Sequence, residues 1–244
     1  MKKVLVTGGA GFVGSHLVKY LLEIGDYDIV VFDRLSHHSL QNYEKNVVYF
    51  RGNILSEKDV TEVFKKYGPF VTVFHLVSAM PNKEVSDSLL WETNVSGTQN
   101  LISEAVKNKT KSFIFTSSNV AYGIPKMLPV KEESPLDALE IYGKSKAQAE
   151  KVLAEFKKDI NIQIIRCPVI AGVGRLGLQA ILFEFIDENR NVYVLGKGNN
   201  KYQFADVADV AIAIVKTSYA DGFEIYNIGA EEILTLRDLY QGLI

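Results

Sequence analysis

Apolar positions along the chain fall into short runs that alternate with amphipathic stretches. Val4, Leu5 and Val6 open the series, and a β-branched run with turn residues directly behind it reads as a buried strand. After the turn, Phe12, Val13, Leu17, Leu21 and Leu22 recur near a helical period. The same reading predicts strands near 3–7, 28–32, 47–51, 71–75, 111–116, 162–166 and 224–228. It predicts helices near 12–24, 56–66, 86–107, 141–157, 177–188, 206–217 and 235–243. Such alternation implies parallel strands joined by right-handed crossovers, hence a doubly wound α/β sheet with helices on both faces. Ligands in such sheets bind beyond the carboxyl ends of the strands.

The first strand-to-helix turn carries Gly8, Gly11 and Gly14 in GGAGFVG. Glycines there permit a tight turn, close approach of backbone N–H groups to a pyrophosphate, and tight helix-on-strand packing. The helix start adds partial positive charge and unpaired donors. Asp33 closes the second strand nineteen residues after Gly14, near the offset at which a carboxylate accepts from an adenosine ribose. A carboxylate repels a 2′-phosphate and favours NAD over NADP, whereas Arg34 beside it can pair with that phosphate.

Composition removes several classes of function. A net charge of −2 over 244 residues argues against a chain-wide nucleic-acid surface. No apolar stretch approaches the roughly 18 to 20 residues of a membrane span, and glycines interrupt the N-terminal segment too early for a signal peptide. One cysteine, Cys167, excludes an internal disulfide and suits a reducing, cytoplasmic setting. No Cys, His, Asp and Glu cluster has metal-ligand spacing; adjacent His37 and His38 make poor chelators of one ion. His75, at the end of a buried strand, reads as a satisfied core residue rather than a base.

Tyr142 and Lys146 lie four apart on a predicted helix and share a face. A phenol is a poor base at neutral pH unless a neighbouring cation favours its phenolate, and Lys146 could supply that cation. Upstream, FIFTSSNVAYG runs a buried strand straight into Thr116, Ser117 and Ser118.

With these stretches read together, the chain resembles the extended short-chain dehydrogenase/reductase superfamily, in particular its NAD-dependent epimerase/dehydratase branch. The resemblance runs from VLVTGGAGFVGSHL through RGNIL, VFHLVSA, NVSGTQNL, FTSSNVAYG, YGKSKAQAE and FADVADVA to YNIGA. It implies a Rossmann fold over 1–174 and 203–230, with a small substrate cap from 175–202 and 231–244. By position, Tyr142 becomes the catalytic acid/base, Lys146 its pKa-lowering partner and a ribose contact, and Ser118 the catalytic hydroxyl. Gly8, Gly11, Phe12 and Val13 would line the pyrophosphate turn, and Asp33 with Arg34 the ribose. Asn53, where the family usually has aspartate, and Ile54 would meet adenine. Leu76 and Val77 would pass under the cofactor, Ser78 and Ala79 would lie nearer the substrate, and Pro168 would touch nicotinamide. The implied cofactor is NAD and the implied substrate a nucleotide sugar, epimerised by hydride transfer. Relatives commonly pair as homodimers through the helices here at 86–107 and 141–157, and Asn94 is either a brace of the site through backbone bonds, as the resemblance implies, or a plain helix-interior residue.

Two departures keep other readings open. Dehydratases of the family carry an acidic pair after the catalytic hydroxyl, where this chain has Asn119 and Val120. Many nucleotide-sugar members place an asparagine three residues after the sixth-strand arginine, where this chain has Val169. A reductase of a small carbonyl compound and a non-catalytic NAD-binding protein are the alternatives. Relatives ordinarily continue past the YNIG strand, so the cap is either naturally minimal or abbreviated.

Overall fold

Lys2–Thr7 (β1) enters the interior at Val4, and its side chains divide between two cores: Leu5 to one side, Val4 and Val6 to the other. That alternation follows from the two-residue period of a strand buried on both faces. The computed structural model describes residues 1–34, 47–175, 179–194 and 196–242; His37 and His38 lie outside them.

Along the chain follow Phe12–Ile24 (α1), Tyr27–Asp33 (β2), Val47–Arg51 (β3), Glu57–Tyr67 (α2) and Thr72–His75 (β4). Next come Asp87–Trp91 (α3), Gly97–Lys107 (α4), Ser112–Ser118 (β5), Ile141–Glu155 (α5), Asn161–Cys167 (β6) and Val169–Ala171 (β7). The remainder comprises Gln179–Asp187 (α6), Lys201–Tyr202 (β8), Phe204–Asp206 (β9), Val207–Thr217 (α7), Phe223–Asn227 (β10), Leu234–Thr235 (β11) and Leu236–Gln241 (α8).

Among the described residues, seven strands form one parallel sheet in the order β10-β6-β5-β4-β1-β2-β3. This is the doubly wound α/β arrangement expected from the alternation. Helices α2, α4 and α5 cover one face through Val60, Phe64, Leu101, Ile102 and Leu153; α1 and α7 cover the other through Leu17, Leu21, Val210 and Ile214. The strand order reverses between β1 and β4, where a crevice opens at their carboxyl ends.

Three local features depart from the sequence reading. The helix expected over 86–107 is interrupted by a π turn at Glu92–Ser96 that separates α3 from α4. The fifth strand runs two residues past its expected end, so Ser117 and Ser118 belong to β5. Two small sheets lie outside the main one: β7 pairs with β9 in parallel, and β8 with β11 antiparallel. Their strands have two or three residues each, too short for a period to register.

Candidate active site

The site begins at the glycine turn. Gly8 has φ +74°, and a Cβ there would meet the Val77 backbone nitrogen at 2.8 Å. A Cβ on Gly14 would lie 2.1 Å from the Gly8 carbonyl oxygen, so α1 can press onto β1 only without a side chain at that position. Gly11 caps α1 in an extended conformation, with no side-chain cap and no acidic residue in the first turn. The donors at this helix start are therefore not satisfied from within the helix, which suits an anionic diphosphate. Asp33, buried at the end of β2, accepts from the Ala10 N–H at 3.0 Å and ties the turn to its neighbouring strand.

A cleft of about 210 Å³ runs along these strand ends. Its walls include Gly8, Gly11, Asp33, Arg34, Asn53, Ile54, Leu76, Val77, Ser78 and Ala79. Val85, Leu89 and Thr93 close it from the α3 side; the sequence reading missed Leu89 and Thr93. Asn53 Oδ1 accepts from the Leu55 N–H at 3.0 Å, which fixes the amide at the cleft edge. Phe12 and Val13 begin α1 but do not line the cleft; Val13 packs on the core under α1. Pro168 is buried between β6 and β7 and also lies outside the lining.

Ser78 links this cleft to the hydroxyl cluster. Ser78, on the loop after β4, and Ser118, at the end of β5, lie near the Tyr142 hydroxyl, while Ser78 Oγ donates to Asn94 Oδ1 at 3.4 Å. Burial pushes the phenol above its ordinary value of 10; the Ser78 hydrogen bond, the Arg175 charge and the Ser118 hydrogen bond pull the other way, while Cys167 adds to the rise. Lys146 is tied to β5 and lies beside the same phenol. Its Nζ donates to the Thr116 carbonyl at 2.9 Å, 4.7 Å above the Phe115 ring and 6.0 Å from the Tyr142 ring centroid. The ammonium is thus anchored to β5, and the Arg175 charge also acts on the phenol, to lower it. Burial lowers Lys146 to about 8, against Cys167 and Glu150, which raise it.

Two buried polar assemblies support this cluster. His75 faces Thr7 Oγ1 at 2.7 Å and Thr98 Oγ1 at 2.9 Å. Thr98 donates its own hydroxyl proton to the Asn94 carbonyl at 2.7 Å, so it accepts from His75 Nε2–H, and Nδ1 accepts from Thr7. Burial, then Lys146, lowers His75 to about 3: a neutral ring with a fixed tautomer. Asn94, inside the π turn, accepts from the Ala79 N–H at 2.8 Å and donates to the Ala79 carbonyl at 3.0 Å and to Ser145 Oγ at 2.9 Å.

In the second assembly Arg166 and Glu150 form a buried ion pair at 2.6 Å. Ser117 donates to Glu150; Arg166 Nη1 donates to Tyr122 at 2.6 Å and to the Glu132 carbonyl at 2.8 Å; Tyr122 donates to Asn227 Oδ1 at 2.7 Å. Glu150 continues the four-residue ladder of Tyr142 and Lys146 along α5, a signal that the spacing already contained. Among the described residues, no group of three or more His, Cys, Asp or Glu is placed to hold a metal, and no helix is long and apolar enough to cross a membrane.

A family model described as the NAD dependent epimerase/dehydratase family matches residues 4–229. The chain is 37% identical over 250 residues to the uncharacterized protein y4nG of Sinorhizobium fredii, covering 100% of this chain and 60% of that protein. It superimposes on UDP-glucose 4-epimerase of Thermotoga maritima, solved with UDP-glucose, with a TM-score of 0.87 and 28% identity, covering 99% of this chain and 81% of that one. UDP-glucose 4-epimerase of Thermus thermophilus, solved with NAD, gives a TM-score of 0.83 at 27% identity, covering 99% and 82%.

Proposed function

The chain belongs to the NAD-dependent epimerase/dehydratase family, and on that premise we propose that it epimerises a nucleotide-linked sugar, with Tyr142 moving the proton. The observation that carries this reading is the Asp33 cleft at the strand ends, with Ser78 in its wall and Tyr142 and Ser118 beside Ser78. The glycine turn fits a dinucleotide, because a Cβ at Gly8 would strike the Leu76–Val77 backbone and one at Gly14 the Gly8 carbonyl, so only glycines keep the turn and the start of α1 this close to the strand ends. Gly8, Gly11 and the start of α1 would hold the diphosphate, Asp33 the ribose, and Asn53 with Ile54 the adenine. NAD, when bound, supplies the hydride acceptor and later the donor.

Tyr142 does the acid–base work. Its raised pKa keeps the phenol protonated at neutral pH, ready to donate to a carbonyl oxygen. In the opposite direction the phenolate accepts from a sugar hydroxyl, favoured by Ser78, Ser118 and the Arg175 charge. Ser118 orients the substrate oxygen, and Lys146 holds the end of β5 under it. Dehydration is disfavoured, since Asn119 and Val120 follow Ser118 without a titratable group. The bound UDP-glucose of the Thermotoga enzyme supports a nucleotide sugar as substrate class.

A second reading, reduction of a small carbonyl compound, draws on Val169. Its side chain is 47% exposed and offers no hydrogen bond to a substrate diphosphate. Assay of the purified protein with NAD on UDP-, GDP- and dTDP-sugars separates the two. Epimerisation without net NADH change, reduced roughly 10²- to 10⁴-fold in Tyr142→Phe with NAD affinity kept, is the expected result. Absence of turnover on every sugar with NAD bound refutes the epimerase reading, and net NADH consumption on a carbonyl substrate establishes the second.

A further inference from the structure

After β7 the chain turns at Gly172 and Gly174, φ +152° and +99°, and passes over the start of α1, where the Gly174 position faces the Phe12 ring edge. Arg175 follows at once, its N–H returning to the Gly172 carbonyl at 3.2 Å. The side chain lies between the start of α1 and the loop after β4. Its guanidinium carbon lies 6.0 Å from the Phe12 ring centroid, and Nη2 is 3.5 Å from Met80 Sδ on the loop after β4.

That set of partners is unusual for an arginine. A guanidinium presents five N–H donors in a planar fork. Among the described residues, Arg175 forms no ion pair, and its side chain's one hydrogen bond goes to a thioether, a weak acceptor. The fork is nevertheless held beside the α1 start, whose own first-turn donors have no side-chain cap. A fork with weakly used donors beside a positive helix start is complementary to two negative charges in a row.

We propose that Arg175 is a diphosphate-binding residue beside the start of α1; the proposal rests on the functional reading above. The diphosphate belongs either to the dinucleotide or to the nucleotide sugar, and both share the chemistry that a planar fork recognises. Its charge also reaches Tyr142 and lowers that phenol, so ligand binding and proton transfer meet at one side chain.

The experiment is calorimetric titration of the full chain, wild type, Arg175→Gln and Arg175→Lys, in two arms: NAD⁺ alone, and UDP added to NAD⁺-loaded protein. Loss of a charge-assisted bidentate contact predicts roughly tenfold or greater weakening in Arg175→Gln, with partial recovery in Arg175→Lys. Weakening in the first arm identifies the cofactor's diphosphate, and weakening confined to the second identifies the substrate's. Affinities within twofold of wild type in both arms overturn the proposal and leave the epimerase reading intact. Wild-type protein that binds neither ligand overturns both. Arg175 is exposed, so an unchanged thermal transition in the variants is expected and ties any lost affinity to the contact itself.

Discussion

Asn94 Nδ2 donates to Ser145 Oγ at 2.9 Å, and through that bond the loop after β4 is tied to the helix that carries Tyr142. The same amide grips Ala79 by both its N–H and its carbonyl, and Ser145 in turn donates to the Tyr142 carbonyl at 2.7 Å. One buried side chain therefore sets the distance between the backbones that carry Ser78 and Tyr142. Asn94→Ala leaves buried groups on both sides unpaired and should cost about 1–3 kcal/mol. Urea unfolding measures that cost. A fall in kcat well beyond any change in NAD affinity would identify Asn94 as a positioning residue for Tyr142.

Gly14→Ala puts a methyl group against the Gly8 carbonyl, and backbone cannot swing aside as a side-chain tip can. The expected result is a destabilisation of about 1–3 kcal/mol together with weakened NAD binding. Ala at Gly25, where nothing lies within 4 Å but φ is +78°, tests strain alone and should leave NAD affinity unchanged.

Removing one partner of the Glu150–Arg166 pair strands a buried charge. Arg166→Met should cost about 3–5 kcal/mol, whereas the double variant Glu150→Met/Arg166→Met should cost less than the sum of the singles. Equilibrium unfolding of the four proteins gives the coupling. Tyr122 and Asn227 depend on the same guanidinium, so protease cleavage within 123–140 should rise in the single variant.

His75 supplies a pH signature. Its folded value of about 3 lies below the ordinary 6.5, so between these values the unfolded chain binds a proton that the native state refuses. Stability is unaffected by this group above about pH 6.5 and declines as pH falls towards 3. From pH 7 to pH 5 wild type should lose about 2 kcal/mol more than His75→Gln. Nitrogen shifts of the ring should report Nε2–H throughout that interval.

The sequence was most readable where chemistry depends on backbone period or on near neighbours. The glycine turn, Asp33 at the end of β2 and the Tyr142–Lys146 pair all sit within a strand, a turn or two helical turns, and spacing alone places them. What stayed hidden depends on contacts distant in sequence. The Arg175 charge reaches Tyr142 from 33 positions away (175 − 142), and Asn94 meets Ser145 across 51. Lys146 illustrates the limit from the other side: its position on the helix face was predicted, but not its bond to the Thr116 carbonyl. The two-residue strands of the outer sheet are too brief to leave a pattern at all.

The π turn at Glu92–Ser96 fits one residue more than a regular helix would into the same turn. Each residue advances a helix by roughly 100°, so α3 and α4 are out of phase with each other by about one side-chain position. Deleting a single residue there would yield a smoother helix by every local measure. It would also rotate α3 relative to α4, so that Leu89 and Thr93 at the cleft could no longer hold their places while Leu101 and Ile102 held theirs in the core. The irregular turn is what lets one helical segment serve two surfaces that a straight rod could not face together.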